Sequence, residues 1–591
     1  MNPIVLLGIV VTLATGIPVM LQLRKSHPRG LIILFFTEMW ERFSYYGMRG
    51  ILIFYLTQHL LFDDKTASAQ YGSYTSLVYL LPLLGGIVAD RWLGTRKAVA
   101  FGALLLVAGH LTMAIEGSPA RQTLHYAGAS YAVAAQGRME SRQVRLMVAG
   151  QPYAFGPAAD GGLAIKDLPA GSPLPSELPK GAYQMTAKVD PLGKMAFYIA
   201  VSLIIMGVGF LKPNISTIVG QLYPQGDPRR DSGFTLYYYG INLGAFWASV
   251  LCALVGQTVG WWAGFGLAGI GMAAGFVVFM LGREYLEGHG EPPAPAALKQ
   301  TVIGPVNREW AIYTLGILGV IPVYFLVQVN RIVGWGLEAA TVAAITFIAW
   351  FMAVKCDRVE RQRMGLAMVL VFGAVVFFTL FEQAGTSLNL FAARNVDLMG
   401  ISAAQTQSFN AGFILIFAPI FAALWAWLAA RGRDPDPTLK FGLGLIQVGL
   451  GFLVVVWAQG MADAQFRMPL FLLGLLYLLH TTGEMFLSPV GLSEITKLSV
   501  KSIASFMMAV WFLAFSIAQF VGGKIAGLMG TETVGGQVLD AHAALKTSLD
   551  GFYKLGWAGV VCGVVFIALS FLIKGWANGA NKVSGHAPPA E

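Results

Sequence analysis

The sequence has few charged residues and very few cysteines for its length. Charged side chains make up only 12% of the 591 residues, 56% are hydrophobic, and the mean hydropathy is +0.63. A soluble domain carries about 25% charged residues, so this composition argues against a soluble enzyme and indicates a polytopic membrane protein. The three cysteines have neither CxxC nor Cys/His spacing, and we therefore expect no disulfide framework and no metal site.

Catalytic motifs and nucleic-acid features are also missing. There is no HExxH, no GxSxG, and no Asp/Asp or Ser/Lys pair with nucleophile spacing in facing spans, which disfavours a membrane enzyme. The net charge of +9 does not indicate nucleic-acid binding, because Lys and Arg stand in short clusters between apolar runs. Clusters of this kind are typical of loops held on the cytoplasmic side of a membrane.

What the sequence does contain is a series of apolar runs of about 20 residues, the length that crosses a bilayer. There are fifteen: 3–23, 30–60, 69–90, 97–116, 194–222, 233–256, 258–282, 308–328, 334–355, 364–391, 405–430, 439–460, 468–496, 502–528 and 552–575. Placing "RKSHPR" (24–29) in the cytoplasm puts the alternate basic clusters there too. These clusters are Arg91/Arg96/Lys97, Arg229/Arg230, Lys355/Arg358/Arg361/Arg363, Arg431/Arg433, Lys497/Lys501 and Lys574.

Two segments stand outside a regular pattern of spans. The first run lacks a basic n-region and an A-x-A site, so it predicts an uncleaved helix with its N-terminus outside, with a cleaved signal peptide as the alternative. Residues 117–192 form the only long hydrophilic insertion. The alternation of sides makes the insertion extracytoplasmic, as either a small β-rich cap or a mobile loop. We expect a short linker to replace it without loss of function, because it carries none of the motifs below.

A short string recurs in two of the spans. Phe-Leu-x-Pro stands at 210–213 and again at 486–489. If the runs at 308–355 are an inserted pair and the first run is extra, the rest divides into six plus six, with these strings on the fourth helix of each half. Paired Pro-interrupted helices in two halves are typical of a carrier with a central site and alternating access. The alternative is chance recurrence of a short string.

One span carries an unusual set of charges. On a helix turning about 100° per residue, Glu38, Glu41, Arg42, Tyr45 and Arg49 lie within one sector. A charge at mid-bilayer costs about 2.5–3.5 kcal/mol unless it is paired or lines a wet cavity. This stripe therefore predicts an interior cavity. The alternative is a structural ion-pair cluster that only holds helices together.

Three further ionisable residues stand in other spans. Lys212 precedes Pro213 on one repeated helix, Glu484 stands on the other, and Glu382 opens "EQAGTS" in the second half. A cavity with Arg and Lys on one wall and Glu484 on the other suits a zwitterion with separated amino and carboxylate ends. Partly desolvated carboxylates can also exchange protons near neutrality, so proton coupling is chemically available.

Four motifs carry a family resemblance: "ExxERFSYYG" (38–47), "GFLKPNIS" (209–216), "FTLYYYGINLG" (234–244) and "GEMFLSPVGLS" (483–493). Together they resemble the proton-dependent oligopeptide transporter (POT, or PTR2) family of the major facilitator superfamily, over about residues 30–575. The resemblance implies an all-α polytopic protein: two six-helix bundles, two helices inserted between them as in the bacterial branch, and an extra N-terminal helix. It also implies a proton-coupled symporter that imports di- and tripeptides.

The resemblance also assigns roles to residues. Arg49 and Lys212, with Arg42 nearby, are implied to hold the peptide carboxylate. The remaining substrate-binding residues implied are Tyr45, Tyr46, Tyr79, Asn242, Asn410, Glu484, Ser488 and Trp511. The implied proton-coupling residues are Glu38, Glu41, Arg42, Lys212 and Glu382, and the implied gating residues are Asp90, Arg91, Pro213 and Pro489.

The sequence also departs from the family pattern. Family members often have Trp where Phe378 stands. The second core span has no histidine, and His110 and His480 are expected to be core polar groups.

The expected organisation follows from the spans and the resemblance. We expect no cofactor beyond the proton, no nucleic-acid partner, and a monomer in the bilayer of the bacterial cytoplasmic (inner) membrane. Two alternatives remain: a proton-coupled carrier of another small anion or zwitterion, such as nitrate or an amino acid, and a non-transporting peptide sensor. The expected divisions are 1–29 (extra helix and basic loop), 30–282 (first bundle with the insertion), 283–359 (linker and inserted helices), 360–578 (second bundle) and 579–591 (disordered cytoplasmic tail).

Overall fold

The computed structural model describes residues 2–224 and 227–578, without side-chain placement at 303, 488–490, 492 and 493. The predicted disordered tail at 579–591 lies outside the described residues. Among the described residues, fourteen helical segments are long and apolar enough to cross a membrane. Helix α2 (Arg29–Phe54) is a further long helix that the same criterion leaves out, since it carries the stripe of charges. Each of the fifteen predicted runs thus lies in a helical segment.

The N-terminal part contains an extra helix and six core spans. Helix α2 continues through one wider turn at Tyr55–His59, and α3 and α4 together form one span with a break at Pro82. Asp63 caps α3 by accepting from the Thr66 amide, which fixes where that span begins. The helices are α1 (Pro3–Ser26), α2, α3 (Asp64–Leu80), α4 (Pro82–Val88), α5 (Thr95–Met113), α6 (Pro191–Gln221), α7 (Arg230–Thr258) and α8 (Trp261–Leu281).

The C-terminal part repeats this organisation after a linker. The linker holds α9 (Pro295–Leu298), the strands β9 (Thr301–Ile303) and β10 (Val306–Asn307), and the inserted spans α10 (Arg308–Leu318), α11 (Val320–Gln328) and α12 (Asn330–Val354). The later helices are α13 (Arg358–Phe381), α14 (Ser387–Asn395), α15 (Ser408–Ala430), α16 (Pro437–Trp457), α17 (Leu470–Leu498), α18 (Ala504–Leu528) and α19 (Ala541–Leu572). Short strands β11 (Val396–Asp397) and β12 (Met468–Pro469) pair in parallel, and β13 (Thr533–Val534) and β14 (Gln537–Val538) form a hairpin.

Small residues allow close helix contacts. A Cβ on Gly85 would lie 2.0 Å from the carbonyl oxygen of Gly209, so α4 meets the backbone of α6 directly. The two halves meet in the same way, because a Cβ on Gly72 of α3 would lie 3.0 Å from Cα of Gly523 on α18. Within the halves, α2 packs on α7 and α8, and α16 packs on α17 and α19.

Residues 117–192 form a small β domain, which we call the β insertion. Its main sheet has the order β4-β3-β2-β1-β8 and its second sheet the order β5-β6-β7, with antiparallel pairs throughout. The strands are β1 (Arg121–Tyr126), β2 (Ala129–Gln136), β3 (Gln143–Val148), β4 (Gln151–Tyr153), β5 (Phe155–Pro157), β6 (Leu163–Ile165), β7 (Glu177–Leu178) and β8 (Gln184–Lys188). Of the two structures that the sequence left open, the structure has the β-rich one.

The β insertion rests on the ends of both halves. Toward the first half, the side chain of Gln58 bonds the backbone of Met139 twice, at 2.7 and 3.1 Å. Toward the second half, Val534 and Leu539 complete the hydrophobic core of the insertion. Replacement of the insertion by a linker would expose these two side chains. The expectation that such a replacement is harmless stays a prediction, and the structure gives a reason to expect a cost.

Candidate functional site

The charged stripe of α2 faces the interior of the protein. Arg42 Nε lies 2.9 Å from Glu38 Oε1 and 3.1 Å from Glu41 Oε2. Glu38 and Glu41 are each 1% exposed, and Arg42 is 8% exposed. In this conformation the three residues form a closed ion-pair cluster, as the structural alternative requires. A fourth charge, on α6, decides whether the cluster is also part of a site.

That fourth charge is Lys212. Its Nζ lies 4.0 Å above the ring of Tyr79, and its electrostatic neighbours include Glu41, Glu38 and Arg42. No carboxylate of the described chain lies within 4 Å of this ammonium. Lys212 is only partly buried although it stands in the middle of a span. Lys212 has no bonded acid and lies next to a cluster of paired acids. It is therefore suited to bind a ligand or to pair with Glu41, depending on the protonation of these acids.

Arg49 joins the two halves. Its Nε donates to the Tyr71 hydroxyl at 2.6 Å, and its guanidinium forms an ion pair with Glu382 at the end of α13. The rings of Tyr45 and Tyr46 each have their centroid 5.9 Å from the guanidinium carbon. Sequence analysis found Arg49 and Glu382 separately but missed Tyr71. A signal was present, since Tyr71 and Tyr74 recur at helical spacing on one face of α3.

Glu484 lies on the opposite wall. Asn410 Nδ2 donates to Glu484 Oε2 at 3.2 Å and to Thr481 Oγ1 at 3.0 Å. Tyr46 and Tyr238 from the first half, and Glu382, are electrostatic neighbours of this carboxylate. No cation of the described chain lies within 4 Å of it. The structure thus brings Glu484 and Asn410 together, facing the first half, with the carboxylate free to accept from an ammonium group.

An aromatic wall connects the two sides. Tyr79 stacks on Phe515 with centroids 5.5 Å apart, and Phe515 also contacts Trp511 at 5.6 Å and Phe378 at 4.2 Å. Trp511 lies against Gly491, where a Cβ would come within 2.5 Å of its ring. Phe515 was missed by sequence analysis because nothing distinguishes it within the apolar run of α18.

The other predicted site residues take no part in the contacts described above. Asn242 donates to the Tyr238 carbonyl of its own helix at 3.0 Å, and no hydrogen bond joins it to Asn410. Asp90 and Arg91 are exposed in the wider turn that follows α4, and neither has an ion pair within the described chain. Pro213 lies inside α6. The side chains of Ser488 and Pro489 lie outside the described residues, and no metal-binding group of three or more His, Cys, Asp or Glu occurs in the part described.

The halves are closed on the side of the β insertion. Asp64 at the start of α3 pairs with Arg394 at the end of α14, with oxygens 2.6 and 2.7 Å from the two terminal nitrogens. Deeper in, the hydroxyls of Ser76 and Ser516 are 2.7 Å apart. Tyr46, Lys212, Asn410 and Glu484 are nevertheless partly exposed at mid-span. Access to the central residues is therefore from the opposite side.

Comparison with known proteins settles the family. The family model described as "PTR2: POT family" matches residues 96–539, which is more than half of the chain.

The chain belongs to the POT family.

Similar proteins extend over nearly the whole length of this POT family member. It is 34% identical to the uncharacterized transporter YclF of Bacillus subtilis, over 93% of this chain and 95% of that one. It is 31% identical to the peptide transporter YePEPT of Yersinia enterocolitica, over 94% and 96% of the two chains. It is 30% identical to a di-/tripeptide transporter of Lactococcus lactis, over 92% and 95%.

Solved structures give the same result. A crystal structure of peptide transporter POT in complex with sulfate matches with a TM-score of 0.67 at 30% identity, covering 93% of this chain and 96% of that one. A POT family transporter in complex with 5-aminolevulinic acid matches with a TM-score of 0.68 at 26% identity, covering 93% and 97%. These matches confirm the predicted major facilitator fold, and the family confirms a multi-pass transporter rather than an enzyme. The exact domain limits stay predictions.

Proposed function

We propose that this POT family member is a proton-coupled symporter that imports di- and tripeptides across the bacterial cytoplasmic membrane by alternating access, as a monomer. The observation that carries the proposal is that two walls of opposite charge face each other. Arg49 and Lys212 lie on one side of a partly accessible centre, and Glu484, held by Asn410, lies on the other. A peptide offers a carboxylate and an ammonium separated by about 3.3–3.6 Å per residue, and opposed charges at two walls recognise both ends.

The coupling proceeds by exchange of ion-pair partners. Protonation of Glu41 breaks one of the two ion pairs of Arg42 and removes one acid that faces Lys212, and protonation of Glu38 as well releases Arg42 from both pairs. Protonation of Glu382 releases Arg49 in the same way. Each released cation then binds the peptide carboxylate, so that the proton and the peptide together favour closure of the two halves around the bound peptide. The membrane potential supplies about 2.3 kcal/mol per charge per 100 mV.

The gates follow from the conformation described. The β-insertion side is extracytoplasmic by the distribution of basic loops, and it is closed by the Asp64–Arg394 and Arg49–Glu382 pairs. This arrangement is inward-facing, with Asp90 and Arg91 free to pair when the cytoplasmic side closes. Pro213 removes one backbone hydrogen bond within α6 and lets that helix bend as the halves rock.

The experiment is uptake of labelled dialanine into liposomes containing the purified chain. We expect accumulation when an inward proton gradient is imposed and equilibration without it. Empty liposomes and an added protonophore are the controls. Binding of dialanine without uptake would identify a sensor in place of a carrier.

A second candidate is a carrier of other small zwitterions. One structural neighbour is described in complex with 5-aminolevulinic acid, which also has an ammonium and a carboxylate at the ends of an extended chain. The same two walls fit such a ligand. Competition of 5-aminolevulinic acid against dialanine uptake tests this candidate, and nitrate in the same assay tests the anion alternative, which the free carboxylate of Glu484 disfavours.

A further inference from the structure

A cavity lies between the β insertion and the ends of both halves, and none of the proposed substrate-binding or proton-coupling residues lines it. Its volume is about 540 Å³. The first half contributes the end of α2, the second half contributes α14 and the start of α19, and the insertion contributes β3 and β5 with the loops beside them. The cavity therefore exists at the junction of three parts of the chain. Its volume is sufficient for a small metabolite.

The wall of this cavity carries more cations than the described structure neutralises. Five basic side chains line it: Arg142, Arg145, Lys166, Arg394 and Arg467. Arg394 pairs with Asp64 and Arg467 with Asp463. In the part of the chain described, no carboxylate lies within 4 Å of the remaining three cations.

The acids in the same wall are already engaged elsewhere. Glu140 accepts from the Gln257 side chain and from the Ala403 amide. Asp540 caps α19 by accepting from the amides of His542 and Ala543 at 2.9 and 3.0 Å. Neither acid forms an ion pair with a cation of the wall. The cavity thus keeps a local excess of positive charge, which focuses anions from solution.

Arg142 is the most buried of the three cations that have no acid partner. Its Nε donates to the Gly535 carbonyl at 2.5 Å, and this is its one hydrogen bond from the side chain within the described residues. Burial lowers the pKa of Arg142 to about 10, and the guanidinium remains charged at neutral pH. A partly buried guanidinium with free N–H groups facing a cavity is suited to bind an oxyanion through charge-assisted hydrogen bonds.

We propose that this cavity is a binding site for a small oxyanion, either a carboxylate or a phosphate group, held by Arg142, Arg145 and Lys166. The site is separate from the central one and goes beyond the proposed transport function. Because its walls come from the insertion and from both halves, it is complete only while this side is closed. An anion bound there stabilises the closed arrangement and opposes opening.

The test is equilibrium binding of inorganic phosphate to the purified full chain, measured by calorimetry. Arg142→Gln and Lys166→Gln should each weaken phosphate binding by roughly 10- to 100-fold, the loss of one or two charge-assisted hydrogen bonds. The matched control is Arg121→Gln, which changes an exposed arginine of β1 outside the cavity wall and should bind phosphate as wild type does. The side chain of Lys166 makes no hydrogen bond in the described structure. Lys166→Gln therefore tests phosphate binding at the site even if Arg142→Gln disturbs the packing around it.

The proposal would be overturned if wild type failed to bind phosphate. It would also be overturned if wild type and the three variants bound phosphate equally. The assay does not depend on transport, and dialanine binding to the same variants reports separately on the central site. A second arm uses N-acetyl-dialanine, which has a carboxylate and no ammonium. If the two cavity variants weaken this ligand relative to Arg121→Gln, peptide carboxylates are a source of the anion; if they weaken only phosphate, the site selects phosphate.

The linkage to closure has its own readout. Spin labels at Lys194 on α6 and Lys546 on α19, both exposed near the insertion side, report the distance between the halves. Phosphate should increase the population with the short distance in wild type but not in Arg142→Gln. An unchanged distance distribution at saturating phosphate would refute the stabilising role.

Discussion

Arg49 on α2 and Glu382 at the end of α13 form a buried ion pair that joins the two halves of the protein. Their side chains are 5% and 11% exposed, and Arg49 also donates to the Tyr71 hydroxyl at 2.6 Å. Arg49, which is proposed to bind substrate, is therefore paired with Glu382, which is proposed to bind the proton. Substrate and Glu382 compete for one guanidinium, which makes the pair a gate as well as a binding element.

Glu382→Gln should open this gate. Removal of one partner of a buried pair leaves an uncompensated charge and costs about 3–5 kcal/mol. We expect the distance between labels at Lys194 and Lys546 to shift to longer values and gradient-driven dialanine uptake to fall at least tenfold. Glu338→Gln, an exposed acid on α12, is the control and should behave as wild type. A short label distance in Glu382→Gln would show that the pair does not hold the halves together.

Glu41→Gln should uncouple peptide movement from the proton. The amide mimics a permanently protonated acid, so Arg42 keeps only its bond to Glu38. Dialanine accumulation against a gradient should be lost, while exchange of labelled for unlabelled dialanine across the membrane should continue. Both quantities are measured in the same liposomes. Accumulation at the wild-type level would remove Glu41 from the coupling mechanism.

Glu484→Gln should weaken binding of peptides with a free amino end. One charge-assisted hydrogen bond is worth about 1.5–3 kcal/mol, which predicts a roughly 10- to 150-fold loss for dialanine. N-acetyl-dialanine has no ammonium and should be affected much less. The measurement is competition of both ligands against labelled dialanine. Equal losses for the two ligands would show that Glu484 does not bind the amino end of the peptide, and would assign it instead to an inner gate in which it pairs with Lys212.

Gly85→Ala should destabilise the first half by disturbing the contact between α4 and α6. The new Cβ would lie 2.0 Å from the Gly209 carbonyl oxygen, and forcing α4 and α6 apart costs about 1–3 kcal/mol or more. The matched control is Gly336→Ala on α12, where no atom lies within 4 Å of the added Cβ and a helical Gly→Ala change is neutral or stabilising. Thermal unfolding in detergent should show a lower Tm for Gly85→Ala alone. Equal Tm values would contradict the contact.

The sequence by itself determined the helices and predicted which residues form the proposed site. Apolar runs long enough to cross a bilayer identified every span, since span length is a local property. The stripe from Glu38 to Arg49 predicted an interior face, because a charge in lipid is costly whatever the fold. The motif residues gave the family, and the signs of the charges in the spans predicted a site with two walls, one of them carrying Glu484.

Only the tertiary structure decided which of these residues are partners. Arg49 and Glu382 are 333 positions apart, and Asn410 and Glu484 are 74 apart. No local period links such pairs, because they meet only when helices from distant parts of the chain pack together. Phe515 joins Tyr79 to Trp511 for the same reason. The β insertion shows this most clearly: its strands follow from local alternation, but its core is completed by Val534 and Leu539, which lie more than half the chain away in sequence and are brought there by the folding of both halves.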